Sequence, residues 1–290
     1  MSPQTRASSV VIGVPMRDLD PALRFAVREA EVLGCRLRIV GHEGPDRGSR
    51  SGAHPPMERA LRTARALAGP STAVSGELHP APTLESALRA QADARVVVAQ
   101  RSDLGALLEG VGRIDASAGV PAVACVPPGW HTTTVPGPPI TVAVDDPGTS
   151  RHLLGVALNV AAAHRLPLRV VHAWGLEQPP GGHRPSEAAL SRWSHRIVEE
   201  LGALRERADV FVNLEVHVAS PVQALVGHSH ESSALLIGAR RAVYRTAPGL
   251  GLVTRGLLHQ TACPVLVVPD TPTSALHPGA VNGNPLGGHP

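Results

Sequence analysis

The residues whose types and spacing could do chemistry are concentrated between Ala234 and Pro269, in ALLIGARRAVYRTAPGLGLVTRGLLHQTACPVLVVP. An apolar run ends at Gly238, a glycine-punctuated loop follows, and Gly251 precedes a segment with helical spacing. Glycine at a strand end lets the backbone turn away, and glycine at a helix start lets it approach a ligand closely. The first N–H groups of a helix lack intrahelical partners and attract anions, so this layout points to phosphate binding. Asp145 stands at the end of another apolar run, ITVAV. In an open parallel sheet the ligand crevice lies outside the carboxyl ends of the strands where strand order reverses, normally between the first and fourth strands, which puts Asp145 and Gly238 at one crevice.

Other polar constellations carry less. His228-Ser-His230-Glu231 has ligand-type residues, but on a helix positions i and i+2 face different ways, so a solvated helix end is the expectation rather than a metal site. His217 alternates along a strand and reads as a partly buried sheet residue, and His172, at the end of LRVVHAW, reads as structural. His42 and His54 fall in or beside a polar Gly/Pro/Ser loop and read as surface. No G-x-S-x-G motif supports a nucleophilic triad and no paired carboxylates suggest acid–base work, so dedicated catalysis is not expected.

The elements that must position the glycines are legible from composition. The chain has 290 residues, 43% of them hydrophobic but only 2% aromatic, so its cores are built from Val, Leu, Ile and Ala. That length suits two domains of ordinary size. The blocks VVIGV, LRIV, RVVVA, ITVAV, LRVV, ALLIG and PVLVV read as strands buried on both faces of a parallel sheet. The net charge is +3, all basic residues are arginine, and both signs are interspersed, which argues against a nucleic-acid groove. Cys35, Cys125 and Cys263 form no C-x-x-C pair and read as core filler. No apolar run reaches membrane-spanning length and SSVVIGV is too short for a secretory leader, so a reduced, cytoplasmic chain is expected.

Taken in order, strands alternate with helices. Val10 to Val14 leads into a helix with Asp20 and Pro21 at its start and Gly34 at its exit. Strands over Arg36 to Gly41, Thr72 to Leu78 and Arg95 to Ala99 alternate with helices over Met57 to Ala68 and Thr83 to Ala92. A helix over Leu104 to Ala118 and the strand PAVACV close the first half. PPGWHTTTVPGPP suits a semi-extended linker, placing domains at 1–127 and 139–269 with residues 128–138 between them. The second half repeats the first in pattern: ITVAVD answers VVIGVP, LPLRVVHAW answers CRLRIVGHE, and CPVLVVP answers VPAVACVP. There Thr149 or Ser150, and then Ser220, are expected as hydroxyl helix caps. Residues 270–290 are Pro/Gly/Asn-rich and read as a disordered tail.

The spacing of Gly238, Arg241, Gly251 and Leu252 resembles the nucleotide-binding signature of the universal stress protein family, with two of four positions kept. TRGLLHQTACPVLVVP is similar to that family's closing motif, and VAVDD to its opening V-D-x-S. The resemblance covers about residues 9–127 and 139–269, the second half more closely. It implies two Rossmann-like (HUP-type) α/β domains, each a five-stranded parallel sheet with helices on both faces. It further implies that last strands pair, here PAVACV with PVLVV within one chain.

By the same resemblance the chain is a stress-response or signalling module that binds ATP or another adenine nucleotide in the second domain, with Mg2+ a candidate companion. Asp145 would lie at the adenine and ribose end, the backbone of Ala173 would meet the adenine, and Gly238, Gly251, the N–H of Leu252 and Thr254 would hold the phosphates. Leu252 replaces a hydroxyl residue, and Arg241 replaces a glycine where a side chain either occludes the phosphates or grips them. The first domain departs further, with Pro15 for the aspartate and Ala99 for the first glycine; Gly110 and Gly112 are all that could remain of a cradle. At most weak ATP hydrolysis is implied. An unidentified protein partner and a homodimer through the domain sheets are candidate assemblies. The alternative reading is a non-nucleotide-binding interaction or regulatory protein with decayed sites in both halves. An ATP pyrophosphatase would need an S-G-G-x-D-S-type loop, which neither VPMRDLD nor VDDPGTS supplies.

Overall fold

Val, Ile and Leu runs too short for helices form extended strands when both of their faces can be buried. In the computed structural model, which describes residues 9–14, 19–42, 55–91, 94–103, 122–131, 137–174, 186–205, 209–239 and 251–269, they build a sheet of ten strands among the described residues. These are β1 (Ser9–Gly13), β2 (Arg36–His42), β3 (Val74–His79), β4 (Ala94–Gln100) and β5 (Ala122–Val126), then β6 (Ile140–Ala143), β7 (Leu168–Ala173), β8 (Val212–His217), β9 (Ala234–Ala239) and β10 (Val265–Pro269). The helices are α1 (Leu19–Val32), α2 (Pro55–Leu67), α3 (Leu84–Arg89), α4 (Arg151–His164), α5 (Glu187–Arg205), α6 (Pro221–Ser229) and α7 (Leu252–Gln260). The expected helix over Leu104 to Ala118, Pro15, His54, Gly110, Gly112, Arg241 and the tail 270–290 lie outside the described residues.

The order across the sheet is β3-β2-β1-β4-β5-β10-β9-β6-β7-β8. Within each half the strands are parallel and the first strand lies between the second and the fourth. The α/β architecture expected from the alternation is therefore present. The expected pairing of last strands is also present: β5 and β10 run antiparallel, with Val265 opposite Cys125, Leu266 opposite Ala124 and Val267 opposite Val123.

Period-two alternation sorts each strand between two apolar layers. Val10, Ile12, Leu37, Ile39, Ala124, Leu168, Val170, Leu236 and Leu266 face the layer built with α1, α2, α4 and α5. Val11, Val40, Cys125, Val171, Leu235, Ile237, Val265 and Val267 face the layer that includes residues of α3, α6 and α7. Both layers run unbroken across the β5–β10 junction. Cys125 and Cys263 are core residues, as expected, and burial pushes both thiols up to about 12.

Some local expectations are corrected. α1 starts at Leu19, which puts Asp20 inside its first turn; Gly34 leaves it at φ +59, the left-handed conformation that favours glycine. No hydroxyl caps α4: Pro147–Thr149 form a 3-10 turn instead, and Ser150 donates its N–H to the Pro147 carbonyl at 3.2 Å. Ser220 precedes α6 without a side-chain cap, and the work of starting that helix falls to Pro221. His42 is the last residue of β2, half-buried and in register with His79, rather than a loop residue. Trp130, within the segment expected as linker, packs edge-on against Phe25 at 5.5 Å between ring centroids.

Polar contacts among the described residues also tie the halves together beside the paired strands. Glu29 of α1 and His164 of α4 meet at 2.9 Å, their side chains 5% and 6% exposed. Arg101, just after β4, donates to the Thr261 carbonyl, to the Thr261 hydroxyl at 3.0 Å and to the His259 carbonyl at 3.2 Å, satisfying acceptors at the end of α7. Removing one partner of a buried pair leaves the other uncompensated. His164→Ala is therefore expected to cost about 3 kcal/mol and to lower the melting midpoint by roughly 6–12 °C, measured by calorimetry. A cost below about 0.5 kcal/mol, the level of an exposed pair, would contradict the buried contact.

Candidate functional site

The strand order reverses at β6, which has β9 on one side and β7 on the other. The crevice outside the carboxyl ends of β6 and β9 is thus the place this fold offers a ligand. Asp145 follows β6 by two residues and is exposed. Gly238 is the next-to-last residue of β9 and pairs with Val268. Gly251 is the N-cap of α7, with no side-chain hydrogen bond to the helix start. The first N–H groups of α7 are therefore available to an anion by the geometry of any helix start.

Side-chain parity decides which face of the sheet the crevice uses. Ala143 and Ala239 border the apolar layer that contains Leu257 and Leu258 of α7. Val171 is in the same layer, so Ala173, two residues on, shares that face. Ala173 thus lies on the α7 face at the carboxyl end of β7, whereas Gly238, two residues after Leu236 of the other layer, falls on the opposite face of β9. Leu252 is 85% exposed, and its side chain points away from the core, while Thr254 is buried on the inner side of α7 with Leu257 and Leu258. Arg241 is outside the described residues.

The opposite face of the same strand ends carries an aromatic assembly that sequence reading did not find. His172 is buried, stacks on Trp193 of α5 at 4.4 Å and 22°, and meets Trp174 edge-on at 5.1 Å. Its Nδ1 lies 2.8 Å from the Val144 carbonyl; a carbonyl only accepts, so Nδ1 carries the ring proton. Trp193 donates its indole N–H to the Asp145 carbonyl at 3.2 Å. His172 therefore has the structural role expected of it, holding the backbone from which Asp145 projects. Trp193 is separated from the strand ends by many residues of chain, and only the helical spacing of α5 hinted that it faces inward.

The residues around His228 differ from expectation. His228 is not solvated: its side chain is 14% exposed and its Nε2 lies 2.9 Å from Nε2 of His217. His217 is half-buried on β8, as expected.

Burial holds the pKa of His172 below the ordinary imidazole value, against smaller opposing effects of the Val144 carbonyl and the Asp145 charge. Burial shifts His228 in the same direction. A ring whose folded pKa is depressed contributes stability that is complete above about 6.5 and lost as pH falls toward the folded value, because the unfolded chain takes up the proton more readily. The fall in melting temperature between about pH 7.5 and about pH 5.5 should accordingly be smaller in His172→Gln than in the parent. An equal fall in both would contradict the buried, neutral ring.

Comparison with known proteins agrees with this arrangement. Residues 138–269 match the model of the universal stress protein family. A universal stress protein of Mycobacterium tuberculosis strain H37Rv is 25% identical over 148 residues, 48% of this chain and 50% of that protein. The chain spans about half the length of the curated relatives it matches. Among solved structures, a universal stress protein from Archaeoglobus fulgidus superposes with a TM-score of 0.62 at 12% identity, covering 91% of this chain and 97% of that one. One from Pseudomonas aeruginosa gives 0.59 at 15% identity, covering 91% and 94%. The cytoplasmic domain of a prokaryotic cation chloride cotransporter also superposes, at 0.52 and 9% identity over 91% of this chain and 96% of that one. At such identities these likenesses speak of fold, and among the described residues no helix is long and apolar enough to cross a membrane. The similarity to the universal stress protein family is thus carried by residues 138–269.

Proposed function

We propose that the chain is a tandem pair of universal stress protein domains, about residues 1–127 and 139–269, whose second domain binds ATP or another adenine nucleotide and serves a stress-response or signalling role without dedicated catalysis. The observation that supports this reading is the adjacency of β6 and β9 at the point of strand-order reversal, with Gly251 capping the start of the helix that follows β9. Asp145 and the backbone of Ala173 serve the adenosine end. Gly238, Gly251, the N–H of Leu252 and Thr254 serve the phosphates, with Arg241 assigned to them by its place in the sequence signature and Mg2+ as their counter-ion. In the first half the corresponding strand end has Ala99, fully buried, in place of the glycine. That half is read as a copy without a cradle.

A second reading is favoured by one feature: Leu252, 85% exposed, and Val253, 39% exposed, present apolar side chains where the cradle would meet its ligand. In that reading the surface docks a protein partner and no nucleotide is held.

Calorimetric titration with ATP separates the two. The nucleotide reading expects saturable binding by the parent, at least about tenfold weaker in Asp145→Ala and abolished in Gly251→Trp, a tenfold loss corresponding to about 1.4 kcal/mol. Absence of heat with the parent, together with absence of adenine nucleotide released on denaturing the purified protein, would overturn it in favour of the partner-docking surface. Binding unaffected by Asp145→Ala would keep the function and displace the site.

A further inference from the structure

We propose that Glu215, His217 and His228 form a zinc site on the edge strand of the second half, beside the proposed nucleotide crevice, since His217 is in register with Ala173. Glu215 and His217 are two residues apart on β8 and so point to the same face. His228, near the end of α6, comes down onto that face from above. The three donor atoms form a tight triangle: Nε2 of His217 to Nε2 of His228 is 2.9 Å, and Glu215 Oε2 lies 3.4 Å from the first and 3.5 Å from the second. Tetrahedral zinc, with bonds of about 2.0–2.2 Å to His nitrogen and carboxylate oxygen, spaces its ligand atoms about 3.4 Å apart. Two edges of the triangle therefore already have zinc-ligand spacing, the 2.9 Å edge between the histidines has only to open by about 0.5 Å, and a fourth position is left to water, since the His217 side chain is 37% exposed.

The charged groups around the cluster define what binding must change. Arg169 of β7 holds the other carboxylate oxygen of Glu215 at 3.1 Å, which leaves Oε2 to the histidines. Its Nη1 lies 3.2 Å from His228 Nδ1, and its Nη2 lies 3.9 Å from Glu231. A guanidinium only donates, so without metal Nδ1 of His228 accepts and the ring proton of neutral His228 sits on Nε2, toward His217. Zinc binding moves that single proton to Nδ1, and Nη1 gives up His228 as the guanidinium turns toward Glu231. The site thus takes a borderline, nitrogen-preferring divalent cation rather than Mg2+ or Ca2+.

The first half of the chain holds the same framework without the second imidazole. Arg38 on β2 contacts Glu77 on β3 at 3.0 Å and also the Gln91 side chain. Glu77 and His79 occupy the same register on β3, opposite Val40 and His42, as Glu215 and His217 do on β8, opposite Val171 and Ala173. Leu84 opens α3 and Pro221 opens α6, and Gln91 and His228 stand at the same distance beyond them. An Arg–Glu contact is therefore common to both halves and explains itself as structure. What is particular to the second half is histidine where the first half has glutamine.

That difference supplies the test, since glutamine at this place is compatible with the fold. Metal-stripped protein titrated with zinc chloride in a calorimeter should bind one equivalent tightly, and His228→Gln and His217→Ala should each weaken that binding by about a hundredfold or more. Zinc should also raise the melting temperature of the parent and not of His228→Gln. Glu215→Gln, which keeps the shape of the side chain, provides a third variant with the same expected loss. No tight zinc binding by the parent, or binding undiminished in His228→Gln, would overturn the proposal.

Discussion

The antiparallel pairing of β5 with β10 is the constraint on which the rest of the structure depends. Each strand is the last of its half, and each is apolar through Ala122–Val126 and Val265–Pro269. Left as edges, both would expose unpaired backbone groups along hydrophobic strands, which invites uncontrolled association. Pairing them satisfies those groups and makes one sheet of two. It also brings α1 of one half against α4 of the other, which is why a glutamate and a histidine can meet there with almost no exposure.

The same junction reaches the candidate ligand crevice. Arg101 of the first half grips the carbonyls at the end of α7, and the Cys125 thiol lies 3.9 Å from the Leu258 carbonyl in the last turn of that helix. The beginning of α7, capped by Gly251, is the end proposed to face an anion. A first half with Ala99 at the corresponding strand end thus still contacts the helix on which the proposed site rests. The two halves share strand order and register while diverging at single positions, of which Gln91 against His228 and Ala99 against Gly238 are the clearest.

Much of this was legible in the sequence because burial on both faces writes continuous apolar runs. Those runs located their strands to within one or two residues, β8 being read only as the strand that carries His217, and the pairing of PAVACV with PVLVV was expected from the family resemblance. The expectation that Gly238, Gly251 and Asp145 share one crevice rests on strand-order reversal, a property of the fold class, and titration is what tests it. The capping hydroxyls were misread because proline at Pro147 and Pro221 sets the helix-start geometry without help from a side chain. Trp193, Arg101 and the His228 cluster were missed for a common reason. Each acts across elements far apart in the chain, and periodicity within an element says which face a residue occupies but not what lies opposite. Glu215 and His217 did carry a signal in their period-two spacing; the third member became visible only when α6 was laid over β8.

The most direct test of the account is amide hydrogen exchange along the junction. If β5 and β10 join the halves into one cooperative sheet, amides in 123–125 and 265–267 should exchange among the slowest in the chain, at or near the rate set by global unfolding. Rapid exchange there, at rates typical of exposed strand edges, alongside slow exchange in β1 and β6, would contradict it.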